Sequence, residues 1–385
     1  MEIRRILETM VARGASDLHL RVAAPPILRI NGSLKAIDHP PLTQEELEAV
    51  AQHLLTSEQQ EVLARAREVD FGFGLPGLAR FRANIYVQRG TIAAAIRCIP
   101  LEVPGLEDLH LPPIVAELAH RQNGLILVTG TVGSGKSTTL AAIVDLINRS
   151  EAKNVITAED PIEFLHRDRD SIISQRELGQ DTESYDTALK HILRQDPDVI
   201  LIGEIRDRET MSVALMAADT GHLVLSTLHT VDAPQTINRI ISFYPPHQHE
   251  EVRYLLASSL RAVISMRLIP RADGKGRVPA IEVMINTETI RECLLDPSRF
   301  STLRSTIAEG VSQYGMQTFD QSLMDLYRRN WISLEEAMRH ASMPTEFVLR
   351  VKGIHASSDA TWSVFEQGMT IGVKDDRPEG GGGLP

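Results

Sequence analysis

An α/β fold in two parts is what this sequence predicts: a small α+β domain, then a larger domain built on a parallel sheet. Three observations carry that prediction. Between "NGLILVTG" and about residue 270, short apolar runs alternate with segments whose apolar residues recur at helical spacing, the signature of parallel strands covered by helices. One junction, "LILVTGTVGSGKSTTLAAIVDLINR", passes from an apolar strand through a glycine-rich loop into a helix. The segment before residue 100 reads instead as strands joined by tight turns, and Pro100 and Pro104 punctuate the stretch after it.

The chain has 385 residues, enough for two domains with sizeable cores. In the first, "MEIRRILETMVARG" is amphipathic, and "ILRINGSLKAI" places two short apolar runs around Asn31-Gly32, a strong hairpin signal. "TQEELEAVAQHLL" reads as a helix with Thr43 as N-cap and Glu46 completing a capping box. "DFGFGLPGLARFRANIYVQRGTIAAAIRCIP" alternates and turns like two or three further strands. The expected divisions are 1–100 for the α+β domain, 101–112 for a linker, 113–272 for the parallel-sheet domain and 273–368 for a mostly helical region. "TETIRECLLD", "FSTLRSTIAEG", "TFDQSLMDLYRRN" and "SLEEAMRHA" make up that last region. Residues 369–385, ending "KDDRPEGGGGLP", lack apolar surface to bury and are expected to be disordered.

Composition narrows the function classes. A net charge of −11 argues against a generally basic nucleic-acid surface, and 4% aromatics is too few for a long base-stacking platform. No apolar run reaches the roughly 18 residues of a membrane span, and the N-terminus lacks a signal peptide's apolar region. The expectation is a cytoplasmic protein with no direct membrane insertion. Cys98 and Cys293 lie far apart and suit neither a disulfide framework nor a zinc site.

The chemistry starts at "TGTVGSGKST", where Gly130, Gly135, Lys136 and Ser137 hold the positions of G-x-x-x-x-G-K-[ST]. Glycines let backbone N–H groups wrap phosphates, and the helix N-terminus adds its dipole. Gly130, Thr131, Val132, Gly133, Ser134, Gly135, Lys136, Ser137 and Thr138 form the expected cradle for ATP. Lys136 would reach the β- and γ-phosphates, and the Ser137 hydroxyl would ligate Mg²⁺. "NVITAEDPIEF" is a strand running into Glu159, Asp160 and Glu163. A carboxylate at a strand's carboxyl end can orient a water for in-line attack. "DPDVILIGEIRDRET" is a second buried strand, ending at Glu204, the arrangement that holds Mg²⁺ beside a phosphate cradle. "GHLVLSTLHT" starts a third strand at His222 and sets His229 just past its end, where a γ-phosphate sensor belongs. Arg194 and Arg206 flank the Glu204 strand and are expected to face the same site.

Together "GTVGSGKST", "AEDPIEF", "LRQDPDVILIGEIRDRET" and "GHLVLSTLHT", in this order, resemble the Walker A, Asp, Walker B and His boxes of the secretion ATPases. The span from "GASDLHL" to "GMQTFDQSLMDLY" resembles the PilT/PilU branch, the type IV pilus retraction motors. The resemblance implies a PAS-like N-terminal domain and a RecA-like ATPase domain, assembled as a homohexamer with ATP bound between domains and against the neighbouring subunit. It implies Glu163 as general base, Glu204 as Walker B acid and His229 near the γ-phosphate. It implies Arg82 and Arg97 as arginine fingers, with Arg80 and Arg89 as alternatives. The implied partner is an inner-membrane pilus platform protein, which would place the ring at that membrane's cytoplasmic face; nucleic acid is not an expected partner. The family's retraction helix "AIRNLIRE" corresponds to "TIRECLLD", where Ile290, Arg291 and Leu294 fit and Cys293, Leu295 and Asp296 depart. That departure leaves true retraction and an accessory role as two readings. Assembly and secretion ATPases, which usually carry an extra N-terminal domain and often a tetra-cysteine motif, are the rivals within the superfamily. A nucleic-acid translocase is the rival outside it.

Overall fold

The structure is a computed structural model that describes residues 2–30, 32–99 and 102–352. It divides into two compact units, Met1–Val103 with Pro161–Arg167, and Pro104–Asp160 with Asp168–Pro385.

The first unit is an antiparallel sheet of order β3-β2-β1-β6-β5-β4 with helices packed on it. Its strands are β1 (Asp17–Arg21), β2 (Ile27–Ile30), β3 (Ser33–Ala36), β4 (Glu68–Leu75), β5 (Ala79–Gln88) and β6 (Thr91–Ile99), and its helices α1 (Ile3–Ala12), α2 (Gln44–Leu54) and α3 (Ser57–Ala66). The β2–β3 hairpin pairs Ile30 with Ser33, as the Asn31-Gly32 signal predicts; Asn31 itself lies outside the described residues. On β5, buried Phe81, Ala83 and Ile85 alternate with Arg80, Arg82 and Asn84, the pattern of a sheet with one face toward its core. Helix α1 buries Ile3, Ile6, Leu7 and Met10. The capping box on α2 is formed: Glu46 N–H donates to Thr43 Oγ1 at 3.3 Å, and Thr43 N–H donates to the Glu46 carboxylate at 3.0 Å.

The second unit is a seven-stranded sheet of order β13-β12-β7-β11-β10-β8-β9. Its strands are β7 (Gly124–Thr129), β8 (Asn154–Glu159), β9 (Ile172–Glu177), β10 (Val199–Ile202), β11 (Leu223–Leu228), β12 (Leu260–Pro270) and β13 (Arg277–Ile285). Neighbours are parallel except β12 and β13. Every residue of β7, β10 and β11 is buried, as expected of parallel strands covered on both faces. The flanking helices are α4 (Ile114–Ala119), α5 (Lys136–Ser150), α6 (Tyr185–Ile192), α7 (Arg208–Asp219), α8 (Ala233–Ser242) and α9 (His249–Ser259). Beyond the sheet come α10 (Glu288–Leu295), α11 (Leu303–Glu309), α12 (Val311–Tyr314), α13 (Phe319–Arg328), α14 (Leu334–His340) and α15 (Pro344–Val351). No described helix is long and apolar enough to cross a membrane.

Two boundaries differ from expectation. The helical region does not begin at 273, because that division falls in the turn of the β12–β13 hairpin and the sheet continues to Ile285. Pro279 and Glu282 hide β13 in the sequence; as an edge strand it tolerates a proline. Most of the 101–112 linker belongs with the second unit, since Leu106, Leu109 and Leu111 pack on its core. Strand β9, another edge, alternates too weakly to be read from sequence. The expected disordered tail, 369–385, and residues 353–368 lie outside the described residues.

Helix α10 is the "TIRECLLD" segment. Ile290, Cys293 and Leu294 are fully buried, while Arg291 projects outward beside Glu288 at 3.7 Å. Ile290→Ala is expected to cost roughly 2–5 kcal/mol, the range for deleting a buried aliphatic side chain. Arg291→Ala should stay within about 0.5 kcal/mol, because it empties no core volume. Urea denaturation of the two variants checks both, and equal losses would refute this division of the helix.

Candidate active site

Parallel pairing fixes where the polar residues collect. Thr129 sits opposite Leu228, and Ile202 opposite both Ser226 and Ala158. The carboxyl ends of β7, β11, β10 and β8 therefore share one edge, the usual ligand edge of an open α/β sheet. The residues leaving that edge are the Gly130 loop, His229, Glu204 and Glu159.

The loop after β7 is a tight backbone cradle. Gly130 has φ 146°, and a Cβ there would stand 2.6 Å from the Met266 carbonyl oxygen and 2.5 Å from Ser134 Oγ. Only glycine fits that approach. Helix α5 begins at Lys136 behind Gly135, with no side chain capping its first N–H groups. Those N–H groups and the helix dipole suit an anion. Ser134 Oγ is buried without a hydrogen-bond partner among the described residues, a further polar atom at the cradle. Val132 stands at the loop tip, 87% exposed, consistent with a contribution through its backbone alone.

Lys136 is itself buried, and its ammonium donates to the carbonyls of Gly130 at 2.9 Å and Thr131 at 3.0 Å. A third contact is His229 Nδ1 at 3.4 Å. An ammonium has no lone pair, so Nδ1 accepts, and the hydrogen of the neutral ring sits on Nε2. That nitrogen lies 3.1 Å from Glu204 Oε1, while Glu204 Oε2 meets Arg206 at 2.9 Å. A continuous polar line thus runs Lys136–His229–Glu204–Arg206. Burial pushes the Glu204 carboxyl up, but Arg206 and His229 outweigh it and hold it below the ordinary carboxylate range.

The Glu204 turn is pinned from three sides. Gly203 N–H donates to the Ala158 carbonyl at 2.8 Å, Thr227 Oγ1 donates to the Gly203 carbonyl at 2.7 Å, and Ser226 Oγ donates to the Ile202 carbonyl at 2.7 Å. A Cβ on Gly203 would lie 2.8 Å from the Tyr185 hydroxyl. Sequence reading missed Tyr185, the first residue of α6, because its approach to β10 is purely tertiary. Burial pushes its phenol above the ordinary value, reinforced by Asp160, Glu204 and Glu159 and opposed by Arg206. Glu159 accepts from Thr157 Oγ1 at 2.6 Å and Gln175 at 3.1 Å.

Two expected residues sit at the other end of the sheet. Arg194 precedes the amino end of β10, so it does not share a face with Arg206, which follows the carboxyl end. His222 precedes the amino end of β11, where its Nδ1 lies 3.0 Å from the Ala217 carbonyl at the close of α7. Strand direction is the reason in both cases: flanking a strand means occupying opposite edges. Glu163 is exposed on the Pro161–Arg167 segment, which groups with the first unit. Within that unit Arg82 and Arg97 are direct cross-strand partners. They line a small cavity of about 140 Å³ with Asp17, Asp70, Asn84 and Ala95. Arg97 donates to Asp17 at 2.9 Å. Arg80 lies two residues before Arg82 on β5, and Arg89 occupies the β5–β6 turn with φ 50°.

The chain is similar to known proteins over most of its length. The family described as "Type II/IV secretion system protein" matches residues 99–361. "Type IV pilus ATPase PilU" of Pseudomonas aeruginosa is 38% identical over 381 residues, 99% of this chain and 99% of PilU. "Type IV pilus retractation ATPase PilT" of the same organism is 41% identical over 347 residues, 90% of this chain and all of PilT. The chain belongs to the PilT/PilU family of secretion ATPases. A crystal structure of the pilus retraction motor PilT with bound ADP aligns with a TM-score of 0.82 and 45% identity, covering 90% of this chain and 98% of that one. Gly130→Ala is expected to keep the fold and lose ATP binding, because the new methyl displaces the loop from Met266. Titration with a fluorescent ATP analogue checks it, and wild-type affinity would refute the cradle geometry.

Proposed function

We propose that this chain is a ring-forming motor that hydrolyses ATP to drive type IV pilus retraction, and with it twitching motility. The observation that carries this is the line Lys136–His229–Glu204–Arg206 at the mouth of a phosphate cradle. It joins the group that binds phosphate to the group that governs hydrolysis through one histidine.

Chemically the protein's part is positioning and charge stabilisation. The cradle N–H groups bind the phosphates, and Lys136 turns its ammonium from loop carbonyls to phosphate oxygens. Mg²⁺ is proposed to be held by the Ser137 hydroxyl and the Glu204 carboxylate, whose pKa lies below the ordinary carboxylate value, so that it is ionised at neutral pH. Bound there, it would neutralise phosphate charge. His229, released from Lys136, is proposed to register whether a γ-phosphate is present. Glu163 is proposed to orient the attacking water, and Arg82 and Arg97 to supply positive charge to the transferring group. A homohexamer docked on an inner-membrane platform protein, on the cytoplasmic side, is the assembly this reading requires.

Within the family, an accessory retraction role has one specific support. Helix α10 keeps Arg291 and Ile290 but departs from the retraction helix at Cys293, Leu295 and Asp296. A deletion strain scored for surface pili and twitching separates the classes: excess pili without motility supports retraction, and loss of pili overturns it in favour of assembly.

Glu204→Gln is expected to retain ATP binding and lose most turnover, since the cradle survives while the carboxylate charge is gone. Near-wild-type hydrolysis would remove Glu204 from the site. Arg291→Ala should give a folded, ATP-hydrolysing ring that cannot support twitching, because the exposed side chain serves the partner rather than the core. Normal motility in that strain would end the coupling role of α10.

A further inference from the structure

The four residues after His229 are gripped by two charged side chains that the hydrolytic chemistry leaves unused. Glu282, on β13, is 1% exposed on a strand whose neighbours are apolar. Its Oε1 accepts from Ala233 N–H at 2.7 Å, the first residue of α8. Arg267, on β12, donates to the Val231 carbonyl at 3.5 Å and to the His340 carbonyl at 2.6 Å. Its guanidinium lies over the Phe319 ring, 3.8 Å from the centroid. Between these grips the segment is cross-braced: Asp232 caps α8 at Gln235 N–H, 2.8 Å, and Thr230 and Thr236 hydroxyls meet at 2.7 Å.

We propose that Glu282 and Arg267 are positioning residues for His229, linking it through residues 230–233 to the helices that carry Phe319 and His340. This deepens the reading of His229 as the γ-phosphate sensor and rests on it. His229 meets Lys136 and Glu204 on one side and continues into the gripped segment on the other. A short segment held at Val231 and Ala233 moves as a unit. Displacement of the imidazole by nucleotide must therefore be met at Glu282 and Arg267, and the Arg267 bonds reach α13 and the end of α14. A buried carboxylate between Ile281 and Val283 is costly unless it holds something, and what this one holds is the start of the helix behind the sensor.

The link is pH-dependent. The charged groups facing Glu282 are Asp232 at the start of α8, Arg304 on α11 and Arg267 on β12; Asp320 on α13 faces Arg267. Burial pushes the Glu282 carboxyl up to about 7, with Asp232 adding to it and the Ala233 N–H and both arginines opposing. Above that pH the carboxylate is ionised and holds Ala233 N–H by a charge-assisted bond; below it the bond is neutral and weaker.

The test uses the full-length ring and steady-state ATPase assays from pH 5.5 to 8.5, a range of about 1.5 units on each side of the group's midpoint. Glu282→Leu and Arg267→Met are expected to lower kcat about tenfold or more with KM for ATP changed less than about twofold. Glu282→Gln, which keeps the acceptor but not the charge, should hold kcat near the low-pH level of the wild type, above that of Glu282→Leu, and abolish a rise in wild-type kcat near pH 7. A merely structural role would lower Tm while leaving kcat and the pH profile of the folded rings as in wild type, and that result overturns the proposal. If Glu282→Leu does not fold, the Glu282→Gln profile decides, and an unchanged inflection overturns it equally. His229→Ala runs in parallel. Lost turnover there with normal Glu282 and Arg267 variants sinks this inference alone, whereas full turnover in His229→Ala sinks the sensor reading beneath it.

Discussion

A buried ammonium is the constraint on which this molecule turns. Lys136 opens helix α5, 8% exposed, where an isolated positive charge could not be sustained. Loop carbonyls and a histidine satisfy it, and the histidine passes the requirement to Glu204. These groups come from different parts of the chain. The lysine can only be buried if β7, β11 and β10 lie side by side with their ends in line.

Strand order meets that requirement. β7 lies inside its sheet, between β11 and β12, so its loop is flanked by His229 on one side and Met266 on the other. β10 and β8 come next in the sheet, bringing Glu204 and Glu159 into the same row. The fully buried runs of β7, β10 and β11 supply the driving force, and the buried Ser226 and Thr227 hydroxyls of β11 are satisfied by the Ile202 and Gly203 carbonyls.

The C-terminal portion is attached to this row by specific bonds as well as by apolar packing. Arg267 stacks on Phe319 and reaches the His340 carbonyl, and Gln317 pairs with the Val283 backbone at the sheet edge. Helix α10 presents an apolar stripe inward, held by Arg253 donating to the Leu294 carbonyl at 2.9 Å, and leaves Arg291 and Glu292 outward. One side of the helix thus belongs to the core, and the other is exposed.

By itself the sequence determined everything governed by neighbours along the chain. The glycine loop and its helix, the Thr43 capping box, the β2–β3 hairpin and the Ile290–Cys293–Leu294 stripe each depend on a few consecutive residues, and each stands as read. The four motif boxes were legible for the same reason, and they carried the family with them. Tertiary structure alone decided which end of a strand faced the site. It set Arg194 and His222 on the edge away from Glu204, since a residue before a strand and one after it look equally adjacent in sequence. It also decided that an interrupted apolar stretch with Pro279 and Glu282 becomes an edge strand, that Tyr185 meets Gly203, and that Arg97 pairs with Asp17, 80 residues away. Those outcomes are set by long-range pairing and burial, which local periodicity does not encode.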